Sequence, residues 1–361
     1  MAGSPAGLSA LLLLLLAVRP GRPAALYPAS LQLQLPQLYS QLDGVLDSMM
    51  EVPDVPSPMA EGHWPRRPLN VGPVSGVAVD TLDRPVIFHR ANHSWEATSF
   101  NKSQHYQDAA RGPILSHTLL TLDPVTGAVL KSEGSGRFYL PHGLHIDAAG
   151  NRWITDVALH QVFKLPPDSD APVLTLGVPF EPGSDAAHFC KPTDVAVAED
   201  GTIFVADGYC NRRIMIFDRE GRFLGSLGEE QGVDLLVPHS LSLDGGVLCV
   251  ADREHGRVVC WNIRQRLLQP QVINLALYGR IYAVSVTGDV LLAVFKSLSG
   301  GGVLTIDLVT GLVLDSWVAA QGLNEPHDLA VTSDGRTTYV GELVPARVSK
   351  FVLQPDFYER P

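Results

Sequence analysis

From about residue 72 the chain is written in short apolar stretches with an alternating texture, separated by turns rich in Gly, Pro and Asp. That texture predicts strands rather than helices. One motif recurs. Pro141-His142-Gly143-Leu144-His145-Ile146, Pro192-Thr193-Asp194-Val195-Ala196-Val197, Pro238-His239-Ser240-Leu241-Ser242-Leu243 and Pro326-His327-Asp328-Leu329-Ala330-Val331 share one pattern. Each is followed by an apolar strand with an acidic end, at Asp156, Asp207, Asp252 and Glu342, and then by a third strand. The proline spacings are 51, 46 and 88 residues, so a degenerate unit beginning near Ile281 is hidden in the longest. A further unit opens at Val74. Six strand–turn–strand units with a period in the forties predict an all-β, six-bladed propeller over residues 71–355, and the period disfavours a pair of stacked sandwiches.

The first 70 residues read differently. Leu11 to Val18 is an apolar run too short to span a bilayer comfortably, with small residues Ala24 and Ala25 after it, so residues 1–25 are expected to be a secretory signal. No basic residue precedes the leucines, which leaves a retained anchor as the alternative. Residues 26–70 are rich in Pro, Leu and Gln; Pro36 interrupts the amphipathic stretch from Leu31 to Met50, and a propeptide-like or loosely packed preface is expected. No later stretch is long enough for a membrane helix. The net charge of −11 argues against a nucleic-acid partner. Four cysteines and the sequons at Asn92 and Asn101 fit a secreted or secretory-lumen protein.

A propeller brings equivalent positions of its blades around one axis. His142, His239 and His327 are equivalent, near the start of the innermost strand, so they are expected to meet. Three imidazoles with an open fourth position make a catalytic zinc site. A lone Pro-His more often closes a turn; three at one repeat position favour a metal. Ser75, Thr193 and Tyr282 take this position in the other units. The first two are expected to leave space for substrate, and Tyr282 to wall one side of the cavity. A second convergence lies just past the acidic strand ends, where Arg253 aligns with Arg90 and Tyr209 stands one residue further on. Such arginines can grip a carboxylate and lower the pKa of a neighbouring phenol. The four cysteines allow three pairings; the short separations favour 190–210 and 249–260 without choosing them.

The repeat pattern resembles NHL-type repeats. Beyond that, residues 72–352 resemble the peptidyl-α-hydroxyglycine α-amidating lyases. The stretches that carry this are Val86-Ile87-Phe88-His89-Arg90, Tyr139-Leu140-Pro141-His142-Gly143-Leu144, His188-Phe189-Cys190-Lys191-Pro192-Thr193-Asp194, Asp207-Gly208-Tyr209-Cys210-Asn211 and Val250-Ala251-Asp252-Arg253-Glu254. The resemblance implies cleavage of α-hydroxyglycine-extended peptides to peptide amides and glyoxylate. It implies zinc on His142, His239 and His327, and structural calcium on Val77, Leu144 and Asp328, the first two through backbone carbonyls. It further implies Tyr209, Arg90 and Arg253 as the catalytic group, and the disulfides Cys190–Cys210 and Cys249–Cys260. The hydroxylated peptide is expected from a separate monooxygenase, and the protein is expected to be a monomer. Two departures stand out: Glu325 replaces the family's usual Met, and Gly341-Glu342 replaces a Gly-Asp pattern. A catalytically silent propeller that binds peptides or a protein partner is therefore the main rival, and a calcium-dependent lactonase or esterase the second; the latter should present carboxylate and amide oxygens rather than imidazoles.

Overall fold

The computed structural model describes residues 56–264, 269–320 and 322–353. The expected signal and most of the preface lie outside the described residues. The described residues from Pro56 onward form one compact unit. It contains six four-stranded antiparallel sheets arranged as propeller blades. Their innermost strands are Val74–Val79, Pro141–Ile146, Pro192–Val197, Pro238–Asp244, Arg280–Thr287 and Pro326–Val331, for blades 1 to 6.

The hidden fifth unit is present. Its innermost strand, Arg280–Thr287, pairs with Val290–Ser297 and lacks both the Pro-His signature and the acidic strand end. Apolar residues pointing to both faces of each strand fill the spaces between blades. Phe88, Leu144 and Ile154 join blades 1 and 2; Ile281, Ala293 and Leu304 pack against Ala251 and Cys260 of blade 4. Val74 and Ile87 of blade 1 meet Tyr339 and Val348 of blade 6, which closes the ring.

The expected start of the propeller at residue 71 moves upstream. Met59–Ala60 pairs with Arg347–Val352 as the fourth strand of blade 6, and the Trp64 ring lies 5.2 Å from that of Tyr339. Trp64 is buried. Two paired residues are too few to show any alternation, but they supply the outer strand that blade 6 does not make from its own hairpins.

The acidic strand ends have a local structural task. Asp156 accepts the backbone N–H groups of Tyr139 and Leu140, Asp207 that of Cys190, Asp252 that of Leu236 and Glu342 that of Asn324. Each carboxylate thus ties down the loop that enters its own blade at the histidine-bearing end. In blade 1, His89 does the same with a neutral ring: Nδ1 accepts from Gly72 and Ala91, and burial pushes its pKa down to about 4. Glu342, despite its extra methylene, reaches both Asn324 and Arg347. The last blade's departure is therefore absorbed without loss of the anchor.

Candidate active site and metal centre

In every blade the register between the two inner strands breaks at the repeat position: Val74/Gly76, Pro141/Leu144, Pro192/Asp194, Pro238/Leu241, Ile281/Ala283 and Pro326/Asp328. A bulge re-aims the residue it carries. Here it turns His142, His239 and His327 out of the pleat and toward the axis. Their ring centroids are 4.7, 4.8 and 4.9 Å apart, and they offer ligand nitrogens all within 4.8 Å of one another.

The blades without histidine supply the complement. His142 Nδ1 donates to Thr193 O at 2.7 Å, His239 Nδ1 to Tyr282 O at 2.7 Å and His327 Nδ1 to Ser75 O at 2.8 Å. Each acceptor is the carbonyl of the next blade's equivalent residue. An Nδ1–H bound this way leaves Nε2 as a lone pair, so three lone pairs face the axis. Burial holds all three rings well below their ordinary pKa, His327 at about 3, with the nearby guanidinium groups pushing the same way. Buried, neutral, convergent and individually oriented imidazoles are the donor set a divalent transition metal requires.

Ser75 and Thr193 do not simply leave space, as their sizes suggested. Their hydroxyls turn into the backbone, Ser75 Oγ to Phe88 O and Thr193 Oγ1 to Pro238 O, which frees their carbonyls for the imidazoles. Tyr282 is the wall expected of it, with its ring 5.3 Å from that of His239.

The Tyr209 hydroxyl lies 3.0 Å from His142 Nε2 and 3.2 Å from His239 Nε2, and Arg253 Nη1 donates to it at 3.3 Å. Arg253 is sandwiched between the Tyr209 and Tyr282 rings and braced by Glu254. Arg90 is buried, with its Nε bonded to Pro141 O. Its charge and that of Arg253 pull the Tyr209 phenol down, but burial outweighs them and the net shift is upward. The expectation of a simply lowered phenol is corrected here: desolvation of the phenolate opposes the two arginines.

Disulfides join Cys190 to Cys210 and Cys249 to Cys260. The first fastens the Tyr209 turn to the strand entering blade 3. The second staples directly opposed residues of one hairpin.

Sequence reasoning missed four contributors. The blade 1 connection from His89 to Leu119 carries Trp95, whose ring stacks 4.6 Å from Tyr209 and covers that side of the site. Both sequons sit on this connection, with Asn92 and Asn101 exposed. Lys191 reaches the same aromatic group, 5.7 Å from the Tyr209 ring centroid and 2.7 Å from Gln104 Oε1. Glu254 braces Arg253, as noted. Asp194 is the fourth. Further along the axis, a cavity of about 160 Å³ is lined by Val77, Leu144, Asp194 and Asp328. Each carboxylate accepts two backbone N–H groups and neither meets a basic side chain among the described residues. Burial raises both pKa values, Asp194 to about 7. Asp194 and Asp328 occupy the same repeat position, so a signal for the second acid existed.

Glu325 forms an ion pair with Lys296 at 2.8 Å. The acidic charge that replaces the family's usual Met therefore has a local counter-charge.

The comparisons with known proteins fit this geometry. The NHL repeat family matches residues 189–217, the first three strands of blade 3. A gluconolactonase structure from Xanthomonas campestris superposes with a TM-score of 0.55 at 14% identity, covering 79% of this chain and 87% of that one; this likeness is one of fold alone. The peptidyl-glycine alpha-amidating monooxygenase B of Xenopus laevis is 45% identical over 304 residues, 80% of this chain but only 35% of that protein, so the chain spans about a third of its length. The peptidyl-alpha-hydroxyglycine alpha-amidating lyase 2 of Drosophila melanogaster is 40% identical over 315 residues, covering 83% of this chain and 76% of that protein. On that coverage, the chain belongs to the peptidyl-α-hydroxyglycine α-amidating lyase family.

Proposed function

We propose that the chain is a zinc-dependent lyase that converts peptidyl-α-hydroxyglycine into a peptide amide and glyoxylate. The observation that carries this reading is the placement of the Tyr209 hydroxyl within hydrogen-bond reach of two of three convergent, neutral imidazoles and of Arg253. His142, His239 and His327 would hold the metal. Bound there, zinc supplies a Lewis acid that makes an alcohol proton easier to remove.

The protein groups divide the remaining work. Arg253 holds the terminal carboxylate of the substrate and fixes the α-carbon beside Tyr209. Tyr209 takes the α-hydroxyl proton, which needs its phenolate form; a cation held by the three imidazoles would offset the burial that pushes the phenol up. The freed oxygen pair closes to a carbonyl as the C–N bond breaks, and the amide nitrogen leaves with that bond's electrons and takes the proton that Tyr209 had accepted. Arg90 favours the phenolate against the cost of its burial. Trp95 keeps water off one face of the phenol.

We also assign the axial cavity to calcium, with Asp328 and the backbone carbonyls of Val77 and Leu144 as ligands. Two buried carboxylates without a basic partner suit a hard cation that takes oxygen ligands. The two disulfides support a secretory or extracellular setting.

The test is incubation of the purified protein with a synthetic α-hydroxyglycine peptide, with and without a chelator, followed by glyoxylate measurement. Glyoxylate that disappears with the chelator and returns with zinc is expected. Its absence from zinc-loaded protein points to the silent propeller instead. Tyr209→Phe should lower kcat by about 10²–10⁴-fold with zinc content unchanged; undiminished turnover removes Tyr209 as the base.

A further inference from the structure

The blade 1 connection closes the site over Tyr209 and His142. Over blades 4 and 5 it stays open. A cavity of about 840 Å³ lies there, lined by Glu254, Leu277, Arg280, Tyr282, Lys296 and Leu298. Tyr282 and Glu254 belong to both places: Tyr282 packs on His239, and Glu254 braces Arg253. The cavity and the metal centre therefore share a wall. Its volume is in the range that takes a drug-sized ligand, far more than one hydroxyglycine needs.

Its banks are apolar and its floor carries paired charges. Leu277 and Leu298 have relative exposures of 101% and 110%, the highest of any large hydrophobic residue among those described. They sit on different loops. Leu277 lies on the connection from blade 4 to blade 5, and Leu298 on the turn between the strands Val290–Ser297 and Gly300–Asp307. Neither gains anything from the fold by standing there, and apolar groups exposed at a cavity mouth mark an interaction site. The charges beneath are paired with one another, Arg280 with Glu254 at 2.9 Å and Lys296 with Glu325 at 2.8 Å. Glu254 is shared with Arg253, so only a small positive excess is left there, and apolar contact makes the selection.

We infer that this cavity receives the body of the peptide substrate, with an apolar side chain, one to three residues before the hydroxyglycine, held between Leu277 and Leu298. The inference rests on the lyase reading. It commits to the substrate itself as occupant because the cavity is continuous with the catalytic group through Tyr282 and Glu254.

The test compares two substrates on wild type and on the double variant Leu277→Ser/Leu298→Ser. One substrate is N-acetyl-α-hydroxyglycine, which carries no side chain before the hydroxyglycine. The other is a pentapeptide ending in α-hydroxyglycine, with leucines at the three preceding positions. The double variant should raise KM for the long substrate about tenfold with kcat unchanged, and leave both constants for the short one as in wild type. An unchanged KM for the long substrate, or an equal effect on both substrates, overturns the groove. If wild type releases no glyoxylate from either substrate, the lyase reading fails instead. Fluorescence anisotropy of a labelled pentapeptide amide then still decides the groove, an equal Kd for the two proteins overturning it. A dimer in sedimentation that the double variant dissolves would make a second copy the occupant and also overturn it.

Discussion

Gly143 offers a direct test of how the histidines are aimed. It follows His142 inside the bulge, and its N–H donates to Thr155 Oγ1 at 2.7 Å. A Cβ built there would lie 2.4 Å from Thr193 O and 2.7 Å from Asp194 Oδ1, inside the 3.0 Å that real Cβ contacts respect. Gly143→Ala must therefore part blades 2 and 3 by about 0.6 Å at a point packed on every side. Overpacking of this kind costs about 1–3 kcal/mol of stability. The displaced atom, Thr193 O, is the acceptor that orients His142. Loss of such an orienting partner weakens metal binding by about 10–100-fold. The assays are zinc competition against a chromophoric chelator and denaturant unfolding of the metal-free protein. Gly62→Ala, with nothing within 4 Å of its Cβ, is the control. A Gly143→Ala protein that is destabilised yet binds zinc as tightly as wild type would refute the claim that the inter-blade carbonyl sets the imidazole. One that is unaffected in both assays would refute the packing argument as well.

Acid should destabilise the metal-free protein early. The three site imidazoles have folded pKa values below the ordinary one, so the unfolded chain binds protons there that the folded chain refuses. Their contribution is intact above about pH 6.5 and is lost progressively as pH falls below it, for His327 down to about 3, at roughly 1 kcal/mol per pH unit per ring. Urea unfolding at pH 7.5, 6 and 5 should show the decline, and replacing all three rings by Asn should reduce its slope; a flat wild-type profile would contradict it. Cys190→Ala/Cys210→Ala should cost about 2–4 kcal/mol and lower kcat by loosening the Tyr209 turn, whereas Cys249→Ala/Cys260→Ala should cost stability with little effect on kcat. Calcium should raise the Tm of wild-type protein and not that of Asp328→Asn, and an equal rise in both would remove Asp328 from the cation site.

Much of this arrangement was legible because a propeller converts repeat position into spatial position. Proline spacing alone exposed blades 2, 3, 4 and 6 and the gap that hides blade 5. The equivalence of His142, His239 and His327 then put them on one axis before any coordinates were known. What stayed hidden was of other kinds. The bulges leave no trace in composition, since Ser75, Thr193 and Tyr282 occupy them as readily as histidine. The cover formed by Trp95 comes from a connection outside the repeat, so periodicity had nothing to say about it. Asp328 was named only through the family resemblance, and the shared repeat position of Asp194 was not followed up. The upward shift of Tyr209 was missed because sequence reveals charged neighbours but not desolvation.

The alternation of the six positions explains how a near-sixfold frame yields a threefold site. Were all six bulges to carry histidine, every ring would compete for the axis, and each Nδ1 would look to a carbonyl whose own side chain was also turned inward. Here blades 2, 4 and 6 give the rings, and blades 3, 5 and 1 give the acceptors. The acceptor residues keep their side chains off the axis, two by bonding hydroxyl to backbone and one by standing as Tyr282 at the rim. Each imidazole is thereby held by a neighbouring blade rather than its own, so the site reports on the seating of all six blades at once. That coupling extends to the closing strand: Ser75 O, which orients His327, belongs to blade 1, and blade 1 packs on blade 6, whose sheet Met59–Ala60 completes. Unseating two residues more than two hundred positions from His327 should therefore loosen the third ligand before the other two.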